Sequence, residues 1–245
     1  MKKLYLTFIA YFFCVGCASI PEAPTGFEMK TVETEHFSML IYEKNIQKEA
    51  PLRIYIEGDG TPAPRKNVAL TLAEKDPMQN VIYITRPCQY HQNDVCKNSD
   101  LWGKDRYHPE IIHEMKDLIT YLARKHRATE LELVGYGGGA PVALLLANRL
   151  PVRRVITVAG ILDTDAYCHQ NGIPVMPEDS LNPARERKQL SMVPQIHYVG
   201  NNDKVTPKRL AERFVARLPD PVSATVKVVP NTGHSDWEEV EFDYY

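Results

Sequence analysis

The stretch that decides the fold is "LELVGYGGGAPVALLLANRL", Leu131 to Leu150. An apolar run of strand length passes into three consecutive glycines, and an almost wholly apolar segment of helical length leaves them. A helix that is apolar all round has to be buried, so this unit belongs at the centre of a domain. The same alternation repeats outward. Strands are expected in "HFSMLIYE" (36–43), "LRIYIEG" (52–58), "NVIYITRP" (80–87), "RRVITVAG" (153–160), "PQIHYVG" (194–200) and "ATVKVVP" (224–230). Helices are expected in "KNVALTLAEKD" (66–76) and from Lys208 to Leu218. A third is expected from Pro109 to Arg127, where Ile111, Ile112, Met115, Leu118, Ile119 and Leu122 keep a 3.6-residue period behind an entry proline. "SDWEEVEFDYY" is expected to close the chain as a frayed helix. Strands alternating with helices imply an α/β fold, a mostly parallel sheet with helices on both faces. One segment breaks the rhythm. Residues 163–190 are polar, rich in proline and without a period, and are expected to form a lid-like insertion over the sheet edge.

The length of 245 residues suits one such domain with a sizeable core, and 44% hydrophobic with 24% charged residues is ordinary globular composition. A formal charge of −2 gives no electrostatic reason to expect nucleic acid as a partner. The N-terminus reads separately. "MKKLYLTFIAYFFCVGCASI" has two lysines, an apolar run from Leu4 to Val15, then small residues, the layout of a secretory signal. The run is short of the roughly 20 apolar residues of a membrane span. "CVGC" resembles a bacterial lipoprotein cleavage site with Cys17 as the lipidated residue, although Cys14 stands where leucine is commonest. An ordinary signal peptide cut nearby is the alternative. The expected organisation is a signal over 1–16, a lipid-anchored tether over 17–35 and a domain over 36–245. Ala18 rather than aspartate after Cys17 implies sorting to the outer membrane, facing the periplasm. The membrane is thus one expected partner, through lipid (palmitate) on Cys17.

Export makes disulfides possible. Cys88 and Cys96 flank a polar segment with Asn93-Asp94 between them, and a bridge there would pin a surface loop. Metal binding is disfavoured, because no second cysteine or histidine pair has ligand spacing. Cys168 is left as an odd thiol.

The strand–turn–helix around Gly135, Tyr136, Gly137, Gly138 and Gly139 has the context of the nucleophile elbow, G-x-S-x-G. A glycine-rich turn can also cradle phosphate, but neither the G-x-x-x-x-G-K-[ST] nor the dinucleotide pattern is present. Downstream, "HYVGNNDKVTP" puts Asp203 just past one strand, and "VKVVPNTGHSDW" puts His234 just past the next. Elbow, acid, histidine is the chain order of an α/β-hydrolase triad. Upstream, "RIYIEGDGTP" ends a strand in Gly58-Asp59-Gly60, where that fold takes one backbone N–H of its oxyanion hole.

On these residues the chain resembles the α/β-hydrolase superfamily, and more narrowly a group of bacterial lipoproteins carrying "IEGDG", "RPCQY", "SLNPA" and "GH-x-x-W". The resemblance runs from about His36 to Glu241. It implies Asp203 and His234 as catalytic acid and base, Asp59, Gly60 and Gly138 around the oxyanion hole, and a small acyl ester or hydrophobic ligand with no cofactor or metal. The departure is Gly137, at the nucleophile position, where the family has serine. A Gly-Asp-His remnant is expected to be impaired in ester hydrolysis, a pseudoenzyme with a binding role. Two other readings stay open: an active ester or amide hydrolase using water or a displaced nucleophile (Ser235, Tyr136, Ser180 and Ser191 being the groups weighed), and a structural or interaction lipoprotein of the envelope. Glu57, at the end of a central strand, needs a partner if buried. Asp59 reads as a turn former, His108 and His113 as surface residues, and Trp102 and Trp237 as packing beside the cleft.

Overall fold

A computed structural model describes residues 19–44, 47–60, 62–91, 93–97, 101 and 103–242. The expected signal over 1–16, the lipidation site Cys17 and Trp102 lie outside the described residues. The helices and strands follow in chain order: β1 Phe27–Glu33, β2 Ser38–Lys44, β3 Leu52–Ile56, α1 Val68–Lys75, β4 Val81–Ile84, α2 Pro109–Lys125, β5 Leu131–Tyr136, α3 Gly139–Ala147, β6 Arg154–Val158, α4 Thr164–Asn171, α5 Arg187–Leu190, β7 Gln195–Gly200, α6 Lys208–Val215 and β8 Ala224–Val229.

The strands form one sheet in the order β1-β2-β4-β3-β5-β6-β7-β8. β1 and β2 run antiparallel at one edge, and β4, β3, β5, β6, β7 and β8 are parallel. The central strands β3, β4 and β5 are buried at every position, as a sheet covered on both faces requires. One apolar layer joins the sheet to α2, α3 and α6, and the other joins it to α1 and the Trp237 segment. α2 begins as its sequence dictates, with Pro109 in the first turn and Arg124 and Lys125 in the last. α3 is buried along its whole length, so its face carries no pattern to read. The chain steps outward from β3 to β4, then crosses back over β3 to β5 and continues the other way. The loops past the carboxyl ends of β3, β4, β5, β7 and β8 meet on one rim. The opposite end of the sheet is fastened by Arg53, whose guanidinium donates to Asp76 at 2.7 Å and to Glu132 at 2.9 Å, all three buried.

Four expectations need correction. Part of the tether expected over 17–35 is instead a strand, because Phe27–Glu33 pairs with β2 residue for residue. Its lysine and glutamates are those of an edge strand half open to water, a pattern that resembles a linker in sequence. Residues 163–190 are not structureless. Asp163 caps α4 by accepting from the Ala166 N–H at 3.2 Å, and Gly172 ends the helix in the left-handed region. No helix closes the described chain. Residues 235–242 make turns instead, with Trp237 fully buried and Phe242 against Trp237 and Tyr198. His108 is not merely a surface residue, since its ring accepts from the Glu110 N–H at the start of α2, whereas His113 is exposed. Among the described residues no helix is long and apolar enough to cross a membrane.

Candidate active site

The elbow forms where β5 meets α3. Gly137 has φ +50°, the left-handed region that β-carbon-bearing residues avoid, and its N–H donates to Val158 O at 2.9 Å while its carbonyl accepts from the Ile161 N–H at 3.1 Å. The two glycines that follow are crowded. A Cβ on Gly139 would overlap the carbonyl oxygen of Ile56 and stand 2.6 Å from that of Glu57, and a Cβ on Gly138 would land inside the carboxylate of Asp59. At Gly137 there is room. Among the described residues beyond its chain neighbours, the one a Cβ would meet within 4 Å is His234, whose Nε2 lies at 3.7 Å.

His234 follows β8 and Asp203 follows β7, as expected, and they are paired: His234 Nδ1 lies 2.9 Å from Asp203 Oδ2. Asp203 is buried in its own loop and accepts from the N–H groups of Val205 at 2.8 Å and Thr206 at 2.9 Å, and from the Thr206 hydroxyl at 2.7 Å. Burial pushes its carboxyl up, and the hydrogen bonds and charge from His234 and Thr206 outweigh that, holding it below the ordinary carboxylate range. The histidine is fixed from behind. Trp237 Nε1 donates to its carbonyl at 2.8 Å, the Tyr136 hydroxyl donates to the same oxygen at 3.2 Å, and the Tyr136 ring lies 5.7 Å from the imidazole. With Nδ1 facing the acid, Nε2 faces the empty side-chain position of Gly137. That is the orientation a serine needs of its base.

The structure therefore brings together Gly137, Asp203 and His234, with Asp59 packed on Gly138 beside them. Gly60 adopts φ +143° against Pro64, and its carbonyl accepts from Gln89 Nε2 at 3.0 Å. The other hydroxyls weighed do not converge. Ser235 Oγ lies 3.4 Å from the Tyr136 hydroxyl, Ser180 is buried against Met176 Sδ at 3.7 Å, and Ser191 donates to the Arg187 carbonyl at 3.0 Å. Their partners are these groups and not the His234 ring.

Glu57 is fully buried and has its partners. It accepts from the Gly58 N–H at 2.8 Å and the Tyr83 hydroxyl at 3.2 Å, with the N–H groups of Ala69 and Leu70 at the start of α1 also facing it. Burial still pushes its carboxyl up to about 7. Cys88 and Cys96 form a disulfide, and Cys168 is a buried free thiol. Two triplets, His36/Glu110/Glu114 and Asp105/His108/Asp179, bring metal-ligand atoms within 4.8 Å of one another, and neither includes an elbow residue. A cavity of about 420 Å³ lies at the β1 edge among Phe27, Lys30, Glu43 and Lys125, away from the elbow.

Sequence reasoning missed two arginines. Arg86 Nη1 hydrogen-bonds Asp59 Oδ1, and Arg106 Nε stands 3.5 Å from Asp59 Oδ2. Arg86 was within reach of a strand-end argument, since "TRP" ends β4 beside "EGDG" at the end of its neighbour β3. Arg106 sits in a loop without period and left no signal.

No protein-family model matches the chain, and no curated protein matches it in sequence. Solved structures do match. An acylaminoacyl peptidase of Pyrococcus horikoshii superposes with TM-score 0.66 at 14% identity over 87% of this chain, which spans only 38% of the peptidase. An esterase of Pyrococcus furiosus gives TM-score 0.65 at 10% identity over 87% of this chain and 85% of its own. An alpha-beta serine hydrolase homologue from Coxiella burnetii gives 0.60 at 15% identity over 89% and 92%. With this strand order, these crossovers and these structural neighbours, the chain has the α/β-hydrolase fold.

Proposed function

We propose that this chain is an α/β-hydrolase-fold protein whose acid–base pair stands in place at the elbow without a nucleophile, and which retains a binding role for a small acyl ligand. One observation carries the reading: His234 Nε2 stands 3.7 Å from where a Cβ of residue 137 would lie, while Nδ1 holds Asp203 at 2.9 Å. One C–O bond beyond that Cβ brings an oxygen within hydrogen-bond reach of the imidazole. The hydroxyl that would attack a carbonyl and hold the acyl group is the missing part. Loss of a serine nucleophile from a working triad costs on the order of 10⁶ in turnover and leaves about 10³–10⁴ over water from the remaining groups. Efficient ester hydrolysis by the glycine chain does not follow from this site. The anchoring reading rests on the sequence: the apolar run and "CVGC" support attachment of the domain to the envelope membrane through lipid on Cys17.

Gly137→Ser tests the reading. Hydrolysis of p-nitrophenyl acetate and butyrate should rise at least about a hundredfold over the parent, and the introduced serine should label with a fluorophosphonate. Adding His234→Ala should abolish both. A folded Gly137→Ser protein that hydrolyses no faster than the parent would refute the proposal, and labelling of the glycine parent itself would show a nucleophile elsewhere.

A further inference from the structure

Asp59 sits in an unusual place for a carboxylate. It presses on the α-carbon of Gly138, the residue after the nucleophile position, where a transferring acyl group would bring its own developing negative charge. Two guanidinium groups hold it there. Arg86 bonds Asp59 Oδ1 and reaches the Gly138 carbonyl at 3.4 Å, and its other terminal nitrogen donates to the Arg106 carbonyl at 2.5 Å. Arg106 approaches Asp59 Oδ2 at 3.5 Å. Both cations lie over the ring of buried Tyr107, at 5.2 Å and 5.6 Å from its centroid, and Arg106 also faces Tyr167 of α4 at 5.9 Å.

The local balance is two positive charges against one negative. Arg106 Nη2 and Arg86 Nε are buried with no hydrogen-bond acceptor among the described residues, and Arg106 Nε has only the Asp59 carboxylate, at 3.5 Å. Buried guanidinium donors are normally satisfied, so Asp59 as it lies leaves the two forks incompletely paired, and a carboxylate free to align with them would pair them better. The surrounding loop is built to keep the arginines still. Gln89 Nε2 donates to the carbonyls of Gly58 and Gly60, its Oε1 accepts from the Arg86 N–H, and the Cys88–Cys96 disulfide closes the segment that follows. Asp59 is the most exposed of the three. Its side chain is 32% exposed, against 7% for Arg86 and 15% for Arg106, and a glycine stands on either side of it.

We infer that Asp59 occupies an anion subsite beside the elbow and is displaced by the carboxylate of a ligand, so that the preferred ligand is an acyl compound bearing a free carboxylate. This rests on the reading of the elbow as an acyl-transfer centre. The planar fork of arginine matches a carboxylate with two parallel hydrogen bonds, and the exchange swaps one carboxylate for another without leaving a buried cation bare. Arg86 and Arg106 set specificity in this scheme, and Asp59 is a built-in competitor.

Calorimetric titration of the full glycine chain and of Asp59→Asn with monomethyl succinate and with dimethyl succinate tests the inference. The wild type should prefer the half ester to the neutral diester. Removing the competing charge should tighten half-ester binding at least about tenfold and leave the diester unchanged. Arg106→Gln in the Asp59→Asn background should erase the preference. If that variant does not fold, Arg106→Lys, which keeps the charge and loses the fork, should weaken half-ester binding severalfold. Equal affinity for half ester and diester, or no gain in Asp59→Asn, overturns the inference. Because binding is read without turnover, its failure leaves the Gly137→Ser result standing, and failure of Gly137→Ser leaves the anion subsite to be judged by its own titration.

Discussion

The three consecutive glycines of the elbow are glycine for different reasons, and an alanine scan separates them. At Gly139 a Cβ overlaps the backbone oxygen of Ile56 and crowds that of Glu57, and backbone of a central strand cannot yield. Overpacking of this kind costs about 3 kcal/mol or more. At Gly138 the obstruction is the carboxylate of Asp59, a side chain that can swing toward solvent at the expense of its contact with Arg86. An intermediate cost of about 1–2 kcal/mol is expected. At Gly137, among the described residues beyond its chain neighbours, nothing but the edge of His234 comes within 4 Å, and the penalty is the left-handed backbone alone, about 1 kcal/mol. For a chain of this length each kcal/mol lowers Tm by about 2–4 °C. Urea and thermal denaturation of Gly137→Ala, Gly138→Ala and Gly139→Ala should therefore rank the losses 139 > 138 > 137, with a shift of only about 2–4 °C for the first variant. If Gly137→Ala is as damaging as Gly139→Ala, there is no vacant side-chain position at the elbow, and the account of a missing nucleophile goes with it.

Glu57 should make stability depend on pH. Its carboxyl is raised from 4.5 to about 7 in the folded protein, so the fold holds a proton that the unfolded chain has lost. Its contribution is complete below about pH 4.5 and gone above about pH 7. The stability of the parent relative to Glu57→Gln should then grow as pH falls through that window, by at most about 1.4 kcal/mol per unit in urea titrations, and a flat difference would contradict the assignment. The Cys88–Cys96 bridge closes a short loop, and Cys88→Ser/Cys96→Ser should lower stability by about 2–3 kcal/mol in thermal scans run with and without reductant. The double variant should be insensitive to reductant.

The parallel sheet was legible because its signals are local. Each strand between β3 and β8 is a short β-branched or aromatic run, and α2 announces itself by period, entry proline and basic last turn. Asp203 and His234 were found by their place just past strand ends, since a parallel sheet gathers those loops on one rim whatever the intervening sequence. β1 escaped notice because an edge strand with one wet face carries charges that read as linker. α4 escaped because a helix packed at a rim shows no amphipathic stripe, although the Asp163 cap and the Gly172 stop were both visible. The closing segment read as a helix from its acidic, aromatic composition, but Trp237 is fixed by a hydrogen bond to the His234 carbonyl and by burial against the sheet, and such packing has no trace in local sequence. Arg106 belongs to the same class: its role depends on Asp59, 47 positions away, and on Tyr167 beyond that.

The Asp203–His234 pair beside Gly137 has a structural role of its own. The fully buried Asp203 carboxylate accepts from two backbone N–H groups, the Thr206 hydroxyl and the His234 ring, and the Thr206 hydroxyl in turn reaches the Ala159 carbonyl at 3.1 Å. Through His234 the same network reaches Tyr136 at the end of β5 and the buried Trp237. One side chain thus ties the loops after β6, β7 and β8 to the elbow strand. Replacing it with alanine leaves several donors unsatisfied at once, and the loss should fall in the range of about 2–4 kcal/mol whatever the turnover. The comparison that isolates structure from chemistry is Asp203→Ala against His234→Ala in the glycine parent. The histidine, 25% exposed, contributes its ring to the network but not its carbonyl, which any residue supplies, so its loss should cost less than that of the acid. If Asp203→Ala unfolds within about 0.5 kcal/mol of the parent, packing does not hold the pair in place, and its persistence would have to be ascribed to chemistry at the site.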